Sequence, residues 1–331
     1  MQSKLKNFEV DRRQALQWLG LMATGACVGN AIPKLAFAFA GRAPQAGATG
    51  GRAFPVTTVN HLNMTSANYA RSRDFYVDLF GMRVAWDDGR QCALEFGSLT
   101  SPNGIYIRPL TKPGEKPTIG HFAFGIPNFM AQKAAMKAEM ERRDVKNIRA
   151  DGEVGWSCDD PAGYPLNIWV PEKDKAMFPG AAGPCEIAAS EKCKAAFESG
   201  LKNLRAAPKP RSKSFHPAGF SFIILNVPDV AKERDFYRDL LGMKIISDQS
   251  QTSGAAECSL RFGKNTLVLR KLANPAGKPF CNRFGLKVTD DPVAVEAELK
   301  RRGLQSEIDS KDGTLIVDPD GYRVGVNGGT R

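Results

Sequence analysis

Histidine is scarce in this chain, at three residues in 331, so any chemistry that needs imidazole must draw on His61, His121 or His216. None of the seven cysteines forms a C-x-x-C pair, which leaves no paired-thiol redox or zinc-ribbon signature. Past the N-terminal region no apolar run is long enough to cross a bilayer, and no long low-complexity tract interrupts the chain. The basic excess, a net charge of +11, comes without interleaved aromatics or a nucleic-acid motif. Weak attraction to anionic surfaces accounts for it, and nucleic acid is not expected as a partner. What remains is ordinary globular composition, 42% apolar and 24% charged, over a length that suits two domains.

The first forty residues stand apart from the fold. Arg12 and Arg13 directly precede an apolar run from Ala15 to Ile32, and Ala38-Phe39-Ala40 offers small residues where a signal peptidase reads. This resembles a twin-arginine export signal, although Asp11 and Ala15 depart from the usual pattern. The competing reading, a short amphipathic helix, is weakened by Gly20, Gly25 and Gly29. Cleavage after Ala40 would leave a soluble chain in the periplasm or outside the cell, with no stable membrane insertion and a net charge of +8. Such a route resembles one used by proteins that fold around a cofactor before export. Residues 41–55 are expected to be flexible.

Two ten-residue stretches, Arg73 to Met82 and Arg234 to Met243, agree at eight positions and lie 161 residues apart, so the chain is a duplication. Each reads as the end of an amphipathic helix, with Phe75 and Leu79 or Phe236 and Leu240 on one face and Gly81 or Gly242 as the stop. Around them runs a repeating order of strand, helix and three strands. In the first unit these are Val59 to Met64, Ser66 to Leu79, Met82 to Trp86, Cys92 to Phe96 and Gly104 to Leu110. The second has His121 to Ile126, Asn128 to Arg143, Asn147 to Ala150, Gly155 to Cys158 and Pro165 to Val170. The pair recurs from Phe220 to Leu272 and from Asn282 to Val326. Domains are therefore expected at 56–172 and 217–331, joined by a connector at 173–216. Its residues Glu186 to Arg205 read as a helix, and its Cys185 and Cys193 are within reach of a disulfide in an oxidising compartment. The fold class is α+β, mixed sheets curving over helices.

The helix carrying DFY and ending in FGM or LGM, followed by a late Asp-Pro-x-Gly turn at Asp160 to Gly163 and Asp318 to Gly321, resembles the vicinal oxygen chelate superfamily. That group includes glyoxalases, extradiol dioxygenases and bleomycin-resistance proteins. The resemblance implies tandem domains, each of two βαβββ units forming a curved mixed sheet. It also implies a divalent metal (Fe, Mn, Zn, Ni or Co) in the cup of one domain, bound from the first strand of each unit and from the last strand after the turn. Carried over, the metal positions are His61, His121 and Asn167. The third departs from the family, where a Glu is usual, because an amide oxygen brings no negative charge. Glu95, Asp159, Asp160 and Glu172 are candidate substitutes that spacing does not separate. Tyr106 lies near the position related to Asn167 and is a candidate fourth ligand or acid/base group, against packing as the alternative.

By the repeat, His61 maps to Phe222, His121 to Arg283 and Asn167 to Gly325, so the second domain holds no ligand set and is expected to be structural. Arg283 is expected in a surface salt bridge, and His216 has no evident role. Trp156 and Ser157 stand where an extradiol dioxygenase carries Tyr and His, and a glyoxalase's two carboxylate ligands are missing. Three readings stay open. One is an exported metal-dependent enzyme acting on a small oxygen-bearing organic substrate by dioxygenase, lyase or isomerase chemistry. Another is a metal-free binder in which the same residues hydrogen-bond a ligand between Trp86, Tyr106 and Trp169. The last is a structural or interaction module.

Overall fold

The protein, a computed structural model, is described at residues 51–98, 102–112, 114–151, 154–170, 209, 214–252, 256–309 and 313–328. The segment expected to be an export signal, the stretch Glu186 to Arg205 expected to be a helix, Glu172, Cys185 and Cys193 lie outside the described residues.

The first half runs β1 (Thr58–Ser66), α1 (Tyr69–Phe80), β2 (Arg83–Asp87), β3 (Cys92–Gly97), β4 (Pro102–Pro109), β5 (Ile119–Gly125), α2 (Phe129–Arg142), β6 (Arg149–Asp151), β7 (Gly155–Asp159) and β8 (Pro165–Trp169). The second half repeats the order as β9 (Pro217–Val227), α3 (Val230–Asp239), β10 (Lys244–Asp248), β11 (Glu257–Phe262), β12 (Asn265–Lys271), β13 (Phe280–Val288), α4 (Pro292–Arg301), β14 (Ser306–Asp309), β15 (Gly313–Val317) and β16 (Arg323–Asn327). Each half forms one eight-stranded mixed sheet, in the orders β2-β3-β4-β1-β5-β8-β7-β6 and β10-β11-β12-β9-β13-β16-β15-β14. The two first strands of the paired units, β1 and β5, are therefore antiparallel neighbours at the sheet centre. That places His61 and His121, sixty residues apart in sequence, on adjacent strands.

Local chemistry sets the helix ends. The Asn68 side chain accepts from the Arg71 backbone N–H and caps α1, and Gly81 closes it in the left-handed conformation at φ 58°. Helix α1 therefore starts at Tyr69 rather than Ser66, which ends β1. Asp229 caps α3 in the same way, and Asp291 followed by Pro292 starts α4. Alternation then sorts the strands. Leu62, Met64, Ile105, Ile107, Phe122 and Phe124 face the helices and join a core that continues into Phe220, Phe284 and Leu286 of the second half.

The two motifs that mark each repeat meet across the domains. Asp160 Oδ1 accepts from the backbone N–H of Ala162 and Tyr164, folding Asp-Pro-x-Gly into a tight turn with Gly163 at φ 87°. Its other oxygen accepts from the hydroxyl of Tyr237, the DFY tyrosine of α3, at 3.1 Å. The reciprocal contact joins the Tyr76 hydroxyl to Asp318 Oδ2 at 2.8 Å. The chain entering each domain is fastened likewise: Phe54 N–H donates to Leu240 O, and Phe215 N–H to Leu79 O. Residues 51–55 thus include a buried anchor, Phe54, within the segment expected to be flexible.

Candidate functional site

The face of the first sheet opposite the helices carries the chemistry. His61, Asn63, Tyr106, His121, Ala123, Asn167 and Trp169 alternate with the core residues, and the register sets His61 beside Ala123, Ala123 beside Asn167 and Asn63 beside both His121 and Tyr106. A small Ala separates His61 from Asn167 along this face. The His61 ring lies 5.5 Å from that of His121 and 4.8 Å from those of Tyr106 and Trp169, each in an edge arrangement. The four residues chosen from the sequence are thus on one face, and the structure brings His61, His121 and Tyr106 into ring contact. Trp86, buried with Ala93 and packed against the half-buried Tyr106, extends the aromatic wall, and among the described residues its indole N–H has no hydrogen-bond partner.

The amide of Asn60 fixes the tautomer of His61. Its Nδ2 donates to Val170 O at 3.0 Å, so its Oδ1 is the atom that faces His61 Nδ1, at 2.9 Å. The imidazole must then carry its proton on Nδ1 and present the lone pair of Nε2. Burial, helped by the charges of His121 and Arg108, holds the His61 pKa well below the ordinary imidazole range. Burial, with Arg108 and Arg149 nearby, pushes His121 down to about 4. Both rings are neutral at physiological pH, the form that ligates a metal or accepts a hydrogen bond.

Asn167 is held from two sides. Its Oδ1 accepts from Ser157 Oγ at 3.0 Å, and its Nδ2 donates to Asp151 Oδ2 at 2.6 Å. The same carboxylate oxygen accepts from the Trp169 indole N–H at 2.8 Å. Gly155 makes that reach feasible: it pairs with both Asp151 and Trp169, and a Cβ there would run into the indole ring. Asp151 was not among the carboxylates weighed from the sequence. Of those, Asp160 is committed to the interdomain turn, Asp159 accepts from Asn147, and Glu95 faces Arg83 at 3.7 Å. Among the described residues no three His, Cys, Asp or Glu side chains converge as a metal site. The donor set nevertheless suits a divalent first-row ion held by two neutral imidazoles and an amide oxygen.

The second sheet differs at the places matching His61, His121, Asn167 and Tyr106. Phe222, Ile224 and Val268 form an apolar cluster there. Arg283 is buried and pairs with Asp309 at 3.5 Å, so its bridge is internal rather than on the surface. His216 sits against Gly81 at the end of α1, away from the site face.

This architecture is that of a tandem βαβββ protein with one polar, histidine-bearing sheet face and one apolar counterpart. Residues 58–168 and 219–326 match the Glyoxalase/Bleomycin resistance protein/Dioxygenase superfamily, and the chain belongs to it. Among solved structures it is similar to the 2,3-dioxygenase LapB of Pseudomonas sp. KL28, at TM-score 0.61 and 12% identity over 84% of this chain and 94% of that one. The homoprotocatechuate 2,3-dioxygenase of Brevibacterium fuscum aligns at 0.58 and 15% identity, covering 83% and 72%. A Mn(II)-bound glyoxalase from Novosphingobium aromaticivorans aligns at 0.58 and 15% identity, covering 83% and 82%. At these identities the likeness is one of fold. No curated protein sequence matches the chain significantly.

Proposed function

We propose that the protein is an exported, metal-dependent member of the superfamily whose first domain acts on a small oxygen-bearing organic molecule. The observation that carries this reading is the pair of imidazoles with ring centres 5.5 Å apart on the central strands, His61 buried and His121 half-buried, the first with its Nε2 lone pair set by Asn60. His61, His121 and the Asn167 amide oxygen would hold a divalent ion. When bound, such an ion supplies Lewis-acid polarisation of vicinal oxygens. The chain's own groups bind and orient. Trp169 and Tyr106 confine the His61 ring, and the partnerless Trp86 N–H is a buried donor that an oxygen acceptor on a ligand would satisfy. Dioxygenase, lyase and isomerase reactions all use such a centre. The metal-free binder is the second reading, favoured by the amide at position 167.

His61→Ala and His121→Ala, made singly, test the assignment. Each is expected to lose most of the bound metal while keeping its fold by circular dichroism. Unchanged metal content in both variants would sink it.

A further inference from the structure

Asp151 has no role in the reading above, yet among the described residues it is the one carboxylate hydrogen-bonded to a proposed ligand. Its Oδ2 takes two N–H donors, from Asn167 and Trp169, and among the described residues it forms no ion pair. The duplication provides an internal comparison. Asp309 occupies the matching place in the second sheet, since Asp309 pairs with Gly313 as Asp151 pairs with Gly155. There position 325 is Gly, and the carboxylate pairs with Arg283, which faces Ile224 as His121 faces Asn63 and so occupies the place matching His121. The first sheet carries the same acid but has an imidazole where the second has the cation. In place of Gly it has set an amide against the acid.

We propose that Asp151 is a positioning residue for the metal centre, and that Asp151 and Asn167 together stand in for a single carboxylate on β8. The inference rests on the reading of His61 and His121 as ligands. An oxygen that already accepts the Trp169 N–H must also accept from Asn167, so the amide nitrogen is turned toward Asp151 and Oδ1 is turned away from it. Donation to an anion draws electron density onto the amide oxygen, making it a stronger donor than a free amide. Ser157 uses one lone pair of that oxygen and leaves the other. The arrangement also explains why position 167 is not acidic: a carboxylate there would lie against Asp151 at hydrogen-bonding distance, two like charges with no proton between them. The negative charge has moved from β8 to β6, one residue behind the ligand.

The experiment is a charge transplant, read as Mn²⁺ and Co²⁺ affinity by competition with a fluorescent chelator on the metal-stripped mature protein. Asp151→Asn keeps the shape and removes the charge. It is expected to weaken binding by about tenfold or more, the scale seen when a partner behind a metal ligand is lost. The double variant Asp151→Asn/Asn167→Asp returns one charge to the pair and is expected to recover wild-type affinity to within about threefold, a recovery that a merely structural role would not produce. Asp151→Asn binding as tightly as wild type, or no recovery in the double variant, overturns the proposal. A second readout separates this from the underlying reading. In the metal-free protein the Asn167 side-chain amide proton facing Asp151 should resonate downfield and lose that shift in Asp151→Asn. If it does not while the wild type binds metal, the role of Asp151 is wrong and the two histidines stand. A wild type that binds neither ion overturns both.

Discussion

Replacing Glu233 by Gln probes the domain interface through its pH dependence. Glu233 on α3 and Asp160 in the turn after β7 are both almost wholly buried and hydrogen-bonded to each other, and Asp160 Oδ2 also accepts from the Tyr237 hydroxyl. Asp160 has backbone donors from Ala162 and Tyr164 to stabilise its charge, whereas among the described residues Glu233 Oε2 has no partner. Burial, then the charge of Asp160, pushes the Glu233 pKa up to about 9, and burial pushes Asp160 up to about 6. Glu233 is therefore the member that keeps its proton. Between the unfolded value of 4.5 and the folded value of about 9, the folded chain holds a proton that the unfolded chain has released. Stability must fall as pH rises through that window, by at most about 1.4 kcal/mol per pH unit for one linked proton. Glu233→Gln is neutral throughout and can donate the same bond. Its melting temperature should fall less steeply than wild type from pH 6 to 9, by roughly 2 °C per unit for each kcal/mol. The matching position in the first half is Ser72, a neutral hydroxyl that hydrogen-bonds Asp320 at 2.5 Å. Parallel wild-type and Glu233→Gln profiles by differential scanning calorimetry would refute the assignment of a buried, protonated Glu233.

Tyr76→Phe removes the hydroxyl that reaches Asp318 and leaves a buried carboxylate oxygen short of a donor, so chemical denaturation should show a loss of about 1–3 kcal/mol. Gly155→Ala forces a methyl group into the Trp169 ring; tryptophan fluorescence should shift and metal affinity should drop as the bond to Asp151 is broken. Converting Arg12 and Arg13 together to Lys should retain the chain in the cytoplasm, read by fractionation, and unchanged export would refute the twin-arginine reading.

The fold was legible because identity between the halves is direct evidence of duplication and because each motif has a steric job. The left-handed glycines end helices or close Asp-Pro turns, and the DFY tyrosine and the turn aspartate proved to be two ends of one contact. The shared face of the candidate residues was legible from strand alternation: His61, Asn167 and Tyr106 lie on the same face as His121 by register alone. Asp151 escaped notice for two physical reasons. The strand containing it was read as Asn147 to Ala150, one residue short, whereas β6 runs Arg149–Asp151. Its reach to Asn167 across β7 also depends on a glycine in the intervening strand, a packing fact with no periodic trace. Nor did comparing the halves for differences flag it, since Asp309 is the same residue in the same place; the difference lies in what faces it. Arg283 was expected on the surface because a lone Arg usually is, but Asp309 lets it be buried.

The central claim is that His61 and His121 form the core of a metal centre in the first domain. The most direct test is elemental analysis by mass spectrometry of the mature protein purified without chelator from the exported fraction. About one Fe, Mn, Zn, Ni or Co per chain, lost from both histidine variants, is the predicted result. Metal far below that level in the wild type, still absent after divalent ions are added back, would contradict it and leave the metal-free binder as the account of this site.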